Sequence, residues 1–389
     1  MDNLIEITGG KYKCLDQKLT EGAYSKVYDV INNHKKNENF IVKIQKISDR
    51  FEAVNEIKTL MKLKKNKELY FQNIKSLIKT SSHSYIDTSK IIDIEDFYSD
   101  NKYVYIVFKK YEYTLEEFNI LYHQTFKEHL PLNLIKKLIN SIFLGLYELN
   151  LSKIIHCDIK PNNFMITCNN KKIKDLFKDI KKKKLKKEDL VNYIDLLYID
   201  FNLTQKFDAI CKSTRVQTIY YMSPEIILGN NNFNESIDIW SIGCIIYELL
   251  TGKHLFDIYN MNEDYGNNYE DYNLEKSNKS SSNYKSYYSS YDDDNDYLIL
   301  LYLYRELFGD NNFIYGNNIS KYYYSNYLRG TVTNKEQDIK VFKQYIKNNI
   351  NIYSTDIQNT FLDILTNIFI YNYNNRLSVN DYLSKYFFY

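Results

Sequence analysis

The stretch His156-Cys157-Asp158-Ile159-Lys160-Pro161-Asn162-Asn163 decides how the rest of the chain reads. Within six residues it sets a carboxylate (Asp158), a phosphate-seeking ammonium (Lys160) and an amide able to hold a metal (Asn163). The run Leu151 to Ile155 leads in, and Phe164-Met165-Ile166 leads out. Short apolar stretches on either side of a polar segment predict strand, loop, strand. The octet is therefore a candidate reaction centre on a loop, and the groups that complete it must come from elsewhere in the chain.

With 389 residues the chain is long enough for one large domain or two lobes with a sizeable core. Lys and Arg total 51 against 49 Asp and Glu, so no overall field argues for a nucleic-acid or membrane partner. Met1 to Gly10 carries neither a basic start nor a long apolar run, and no stretch reads as a membrane span. The expectation is an intracellular monomer, cytoplasmic or nuclear. The five cysteines (Cys14, Cys157, Cys168, Cys211, Cys244) are scattered without a CxxC pair, which fits a reducing compartment and no structural zinc.

The first hundred residues read as strands around one helix. Tyr24 to Ile31 and Phe40 to Ile47 are strand-like, split by the polar turn Asn32 to Asn39. Asp49 to Leu63 has helical spacing through Val54, Ile57, Leu60 and Met61. Lys64 to Lys90 is polar and reads as a loop or an extra helix. Ile91 to Phe97 and Tyr103 to Phe108 form a strand pair around Tyr98-Ser99-Asp100-Asn101.

Beyond these the chain turns helical. Leu115 to Leu121, Leu132 to Leu149, Leu298 to Leu307 and Thr360 to Ile370 are amphipathic, and Ile237 to Leu250 is apolar all round. The pattern predicts an α+β fold of two lobes, residues 1–108 and 109–389. Two inserts interrupt the second lobe. One, at about 169–190, includes ten lysines between Lys171 and Lys187 and reads as a solvated helix, with a docking or nucleic-acid patch as the alternative. The other, at about 259–296, is rich in Asn, Tyr, Ser and Asp and predicts a surface insert without a core of its own.

Further polar residues fall at the ends of these elements. Lys43 closes the strand Phe40-Ile41-Val42-Lys43, and Glu56 follows thirteen residues later on the helix. Asp200-Phe201-Asn202 follows the strand Leu196-Leu197-Tyr198-Ile199. Ser223-Pro224-Glu225, Asp238-Ile239-Trp240 and Asn375-Arg376-Leu377 come after. In this order, and with the octet, the motifs resemble the serine/threonine group of eukaryotic-type protein kinases over roughly residues 14 to 389.

That resemblance implies a two-lobed kinase fold and transfer of the terminal phosphoryl of ATP to a protein Ser/Thr hydroxyl, with Mg2+. Asp158 would be the catalytic base and Lys160 would contact the transferring phosphate. Lys43 would reach the other phosphates, paired with Glu56. Asn163 and Asp200 would hold the metal. Thr20, Gly22, Ala23, Ser25, Val27 and Ile41 would cover the nucleotide, and Phe108 would close the adenine pocket beside a hinge at Lys109 to Tyr111. Arg376 would neutralise Glu225, Asp238 would brace the catalytic loop, and His156 would pack it.

Finer features resemble the SR-protein kinases and the related dual-specificity tyrosine-regulated and Clk-type kinases. These are Leu130-Pro131-Leu132, Gln217-Thr218, Asp296 ahead of Glu306-Leu307-Phe308-Gly309, Lys321 to Ser325 with Leu328-Arg329-Gly330, and the long interval between Asn163 and Asp200. They imply an Arg/Ser-rich protein substrate. Three departures bear on activity. The glycine-rich loop, Thr20-Glu21-Gly22-Ala23-Tyr24-Ser25, keeps only Gly22 of its glycines. Cys157 replaces an arginine that reads a phosphate on the activation segment. Asn202 stands where glycine is usual and is expected to supply the left-handed turn. The contrasting class is a pseudokinase, an ATP-binding scaffold without transfer.

Overall fold

The computed structural model describes residues 8–21, 25–78, 88–169, 171–209, 212–213, 216–227, 229–257, 300, 303–304, 307 and 335–388. The insert expected at 259–296, residues 22–24 of the glycine-poor loop, Asp296, Glu306, Phe308-Gly309 and the stretch 321–330 lie outside the described residues.

Five antiparallel strands make the first sheet: β1 (Tyr12–Glu21), β2 (Ser25–Asn32), β3 (Phe40–Lys46), β4 (Ile94–Ser99) and β5 (Tyr103–Lys109), in the order β1-β2-β3-β5-β4. Alternation along β3 sorts its side chains. Phe40 and Val42 join Tyr12, Val30, Tyr105 and Val107 in a small core on one face. Ile41, Lys43 and Gln45 therefore point to the other face, towards the rest of the molecule. The β4–β5 turn is held by Asp100, whose Oδ1 accepts from the N–H groups of Lys102 and Tyr103.

Helix α1 (Arg50–Leu77) crosses the inner face. Its buried positions, Ala53, Glu56, Leu60, Leu63, Tyr70 and Ile74, follow helical spacing. It runs fourteen residues beyond the predicted end at Leu63, because Tyr70 and Ile74 continue the apolar stripe through a polar sequence. Strand β1 was missing from the sequence reading. Its pairing with β2 slips between Cys14 and Lys18 and again between Lys18 and Thr20, which breaks the alternation that would have marked it.

The second lobe is built on α2 (Leu115–Phe126), α3 (Leu132–Leu151), the short strands β6 (Ile154–Ile155), β7 (Phe164–Cys168), β8 (Ile194–Tyr198) and β9 (Gln205–Lys206), and helix α4 (Ile173–Lys181). Then come α5 (Pro224–Ile227), α6 (Ser236–Thr251), α7 (Lys335–Asn349), α8 (Thr355–Ile368) and α9 (Val379–Lys385). Helix α2 starts on a capping box in which Glu117 N–H donates to Thr114 Oγ1 and Thr114 N–H to Glu117 Oε2. Leu134 to Leu149 of α3 are buried without a break except at Lys136 and Lys137, and α6 is buried almost throughout. Gly145 lets α3 lie against β8: a Cβ there would stand 2.3 Å from the Tyr198 ring. Of the helix expected at Leu298 to Leu307, Leu300 and Tyr304 are fully buried.

The lysine-rich insert is folded. Helix α4 buries Ile173, Leu176, Phe177 and Ile180, and Phe177 packs on Phe118, Tyr122 and Phe126 of α2. Its lysines line the outward side. β7 and β8 pair antiparallel, Phe164 opposite Tyr198, and so bring the loop after β6 beside the loop after β8. Among the described residues, no helix is long and apolar enough to cross a membrane.

Candidate active site

Lys43 lies between two carboxylates. Its Nζ is 2.9 Å from Glu56 Oε2 and 2.8 Å from Asp200 Oδ1, and it is 7% exposed. Burial works against the ammonium, but the charges of Asp200 and Glu56 outweigh it and hold Lys43 above its ordinary value. Asp200 also resists ionisation through burial, and Lys43, with His156 and Lys160 behind it, keeps its carboxyl below the usual range. The three groups come from β3, α1 and the end of β8, so the pairing fixes α1 against both lobes.

Helix α1 has a second anchor that the sequence reading missed. Asn55 Nδ2 donates to the carbonyls of Asn202 (3.1 Å) and Thr204 (2.9 Å), and Thr59 and Thr204 hydroxyls lie 3.1 Å apart. The available signal was a polar residue beside Glu56 on the buried stripe.

The turn after β8 differs from expectation in one respect. The left-handed residue is Asp200 itself, at φ 61°, and Asn202 does not have a positive φ. Asp tolerates this region through its short polar side chain. The turn sends the Asp200 carboxylate to Lys43 and Phe201 into the interior, where its ring meets His156 at 5.2 Å. Phe201 N–H approaches Glu56 Oε1 at 3.4 Å. Asn202 is left to receive Gln45 Nε2 at 3.4 Å.

The octet forms the opposite wall. Asn163 Nδ2 donates to the carbonyl (2.8 Å) and Oδ2 (2.9 Å) of Asp158. Lys160 Nζ is 3.0 Å from the same Oδ2 and donates to Thr218 Oγ1 at 2.8 Å, while Thr218 donates to Asp158 Oδ1 at 2.9 Å. Below them the loop backbone is fastened to α6. His156 and Cys157 N–H donate to Asp238 Oδ2 and Oδ1 at 2.7 and 3.0 Å. Cys157 is left-handed, φ 69°, with a buried thiol that burial pushes well above its ordinary value. The His156 ring packs on Tyr198 and Phe201, and burial holds it below its usual value.

Gln217, at φ 66°, ties the following segment down. Its N–H donates to Cys157 O, its Nε2 to Ile237 O and Ser241 Oγ, and its Oε1 accepts from Ser223. Glu225 then meets Arg376 through two parallel bonds, 2.5 and 2.7 Å, with the guanidinium 4.9 Å over the Trp240 ring. A forked cation is the partner a buried carboxylate requires.

Of the residues assigned to the nucleotide, Thr20 is exposed at the end of β1, and Ser25 and Val27 are half-buried in β2. Val27 pairs with Lys43, and Ile41 pairs with Phe108, which is buried. Lys109 and Tyr111 continue from β5, with Lys110 N–H donating to Asn39 O. Gly22 and Ala23 lie outside the described residues. The donor set suits a hard cation: Asn163 commits Nδ2 to Asp158, which leaves Oδ1, and Asp200 commits Oδ1 to Lys43, which leaves Oδ2.

Comparison with known proteins agrees with this geometry. The protein kinase domain family matches residues 14–388. A probable cyclin-dependent serine/threonine-protein kinase of Dictyostelium discoideum is 30% identical over 61% of this chain and 14% of its own length. A probable cyclin-dependent kinase 8 of the same organism is 31% identical over 40% of this chain and 37% of its own length. The serine/threonine-protein kinase ssn3 of Aspergillus clavatus is 24% identical over 61% of this chain and 48% of its own length. The chain thus spans less than half of each of these relatives. Their names are cyclin-dependent and Ssn3 types, so they support the serine/threonine group but not the finer resemblance to SR-protein and Clk-type kinases. Five strands over a crossing helix, a helical second lobe and this family match together establish that the chain belongs to the protein kinase domain family.

Proposed function

We propose that this chain is an active serine/threonine protein kinase that uses ATP and Mg2+. The convergence of Lys43, Glu56 and Asp200 opposite Asp158 and Asn163 carries the reading. Phosphoryl transfer needs positioning and charge neutralisation more than covalent chemistry. Lys43, held by Glu56, is the group for the non-transferred phosphates. Asn163 Oδ1 and Asp200 Oδ2 are the metal ligands, and a bound Mg2+ supplies charge neutralisation at the phosphates. Asp158 orients the substrate hydroxyl and takes its proton, a role worth ~10²–10⁴-fold in rate. Lys160, bridging Asp158 and Thr218, is poised for the moving phosphoryl group.

The protein substrate approaches beside Thr218 and Gln217; Arg/Ser-rich segments are the substrate that the finer sequence features favour. The names of two relatives raise the question of a cyclin. Helix α1 closes the Lys43–Glu56 pair and is anchored through Asn55 and Thr59, contacts that support a reading in which the chain holds α1 without a cyclin. The glycine-poor loop favours the contrasting reading of an ATP-binding scaffold. Incubation with labelled ATP, Mg2+ and mixed protein substrate, beside Asp158→Asn, separates the two. Transfer by the wild type alone supports the kinase; equal signal from both removes Asp158 from its role; nucleotide binding without transfer favours the scaffold. An Arg/Ser peptide and a mixture lacking it test the substrate class.

A further inference from the structure

The residues directly after Asp200 are clamped from two sides. On the α1 side, Glu56 Oε1 accepts the Phe201 N–H at 3.4 Å. Asn55 Nδ2 meets three acceptors: the Asn202 carbonyl at 3.1 Å, the Thr204 carbonyl at 2.9 Å and Thr204 Oγ1 at 3.0 Å. On the β3 side, Gln45, 1% exposed, donates from Nε2 to Asn202 Oδ1 at 3.4 Å.

The Thr204 hydroxyl gives this network its direction. Its one hydrogen goes to the Phe201 carbonyl at 2.8 Å. It therefore accepts from Asn55 and from Thr59 Oγ1, 3.1 Å away. Thr59 and Thr204 are both buried, so little water competes for these bonds. A chain of hydrogen bonds thus runs from α1 through Thr204 to the peptide that follows Phe201.

That peptide lies next to Asp200, whose φ of 61° is costly for a residue with a side chain. Such a conformation persists only where its surroundings over-determine it. Lys43 holds the Asp200 carboxylate, but an ion pair at the side chain does not fix the backbone dihedrals. The bonds to Phe201, Asn202 and Thr204 do. Turning Asp200 away from Lys43 by rotation of this backbone would break the bonds at the Phe201 N–H, the Phe201 carbonyl and the Asn202 carbonyl together.

We infer that Asn55 and Thr204 are positioning residues that hold Asp200 in its left-handed turn, with Oδ2 turned to the cation. The inference rests on the reading of Asp200 as a metal ligand. It gives the Asn55 contacts a second task besides anchoring α1: they make the helix and the turn one unit.

The full-length chain is compared with Asn55→Ala, Thr204→Val, Thr204→Ser and Asp200→Asn. Valine keeps the shape of threonine without its hydroxyl, and serine keeps the hydroxyl. Two quantities are read. One is amide hydrogen exchange over residues 199–205, without metal or nucleotide. The other is the gain in affinity for a non-hydrolysable ATP analogue on adding Mg2+, by calorimetry. Asn55→Ala and Thr204→Val are expected to exchange about tenfold faster and to lose about tenfold of the gain from Mg2+. Their affinity for the metal-free analogue stays that of wild type, and Thr204→Ser matches wild type in both quantities. A gain from Mg2+ undiminished in Asn55→Ala and Thr204→Val overturns the inference, even if both melt earlier. So does equal weakening with and without Mg2+, which would mean that the network holds α1 and Lys43 rather than Asp200. If Asp200→Asn keeps the whole gain, the metal-ligand reading fails instead. The exchange rates then decide alone, and rates equal to wild type in Asn55→Ala and Thr204→Val would show that the network does not hold the turn.

Discussion

The backbone N–H of Cys157 donates to Asp238 Oδ1 at 3.0 Å, which ties the octet's loop to α6, a helix buried almost throughout. The neighbouring His156 N–H takes the other oxygen. One carboxylate thus fixes two successive peptide groups, and the left-handed Cys157 between them depends on it.

Asp238→Asn keeps one acceptor and turns an NH2 towards the other N–H, a cost of ~1–3 kcal/mol for the unsatisfied donor. Burial pushes the Asp238 carboxyl up to about 7, against the pull of its two N–H bonds. Its value in the unfolded chain is about 3.9. The folded state therefore binds this proton more tightly, and that contribution is full below the unfolded value and lost as pH rises through about 7. The stability gap between wild type and Asp238→Asn is expected to be widest in acid and to narrow towards neutrality. Glu148, also pushed up to about 7 by burial, titrates in the same window, so the gap rather than either curve is the readout. Denaturant unfolding of both proteins at several pH values measures it. A gap that widens with pH would show Asp238 held as the anion.

Lys43→Met removes the cation between Glu56 and Asp200 and leaves two carboxylates facing each other. By analogy with loss of one preorganised donor, phosphotransfer is expected to fall ~10²–10³-fold. Steady-state kinetics in ATP check this, and a fall well short of ~10-fold would sink the assignment of Lys43.

How much of this was legible in the sequence depended on whether a contact is carried by one element. Glu56 sits on a helical stripe and Asp200 just past a strand end, whereas Lys43 lies in the middle of β3 rather than closing it; their order alone suggested the cluster. Glu225 demanded a cation, and Arg376 supplied it across 151 residues of sequence. The left-handed turn was assigned to Asn202 by residue type, whereas the geometry of Lys43 and Phe201 requires it at Asp200. Strand β1 and the Lys90–Asp195 pair were not legible. The strand's bulges erase its period, and the pair (Lys90 Nζ to Asp195 Oδ2, 2.7 Å) joins residues brought together by backbone hydrogen bonds of Lys90 and Ile92 to Tyr198 of β8. The lysine run was read by its charge, but the buried Leu176, Phe177 and Ile180 determine where it lies.

Arg376→Ala leaves Glu225 buried without its cation, which costs about 3–5 kcal/mol. The lost stacking on Trp240 adds to this. Pairing the change with Glu225→Gln is expected to recover part of the loss, because the stranded charge goes with it. A double-mutant cycle by thermal unfolding measures the coupling, and strict additivity of the two changes would rule out the pair as a stabilising contact.

Gly145→Ala drives a methyl into the Tyr198 ring, which is itself fixed by a hydrogen bond from its OH to Ile142 O. Overpacking of this kind costs ~1–3 kcal/mol. A smaller residue at the partner position, Tyr198→Leu, is expected to make the glycine change less harmful than it is alone. Melting temperatures of the four proteins test it; a Gly145→Ala protein as stable as wild type would mean that α3 and β8 are not held this closely.

Activity is expected to survive removal of any phosphate from the segment before Ser223. The side chain of Cys157 is buried and uncharged, so the loop offers no cation there for a phosphate. The segment is instead tied by Gln217, whose N–H binds Cys157 O and whose amide bridges Ile237, Ser241 and Ser223. Phosphatase-treated protein should therefore retain its transfer rate, while Gln217→Ala should lose substrate binding. That variant strands buried partners at ~1–3 kcal/mol each and frees a left-handed residue to relax. The comparison uses KM and kcat for the protein substrate at saturating ATP. Loss of activity on phosphatase treatment, with Gln217→Ala unaffected, would mean that a phosphate rather than Gln217 orders the segment.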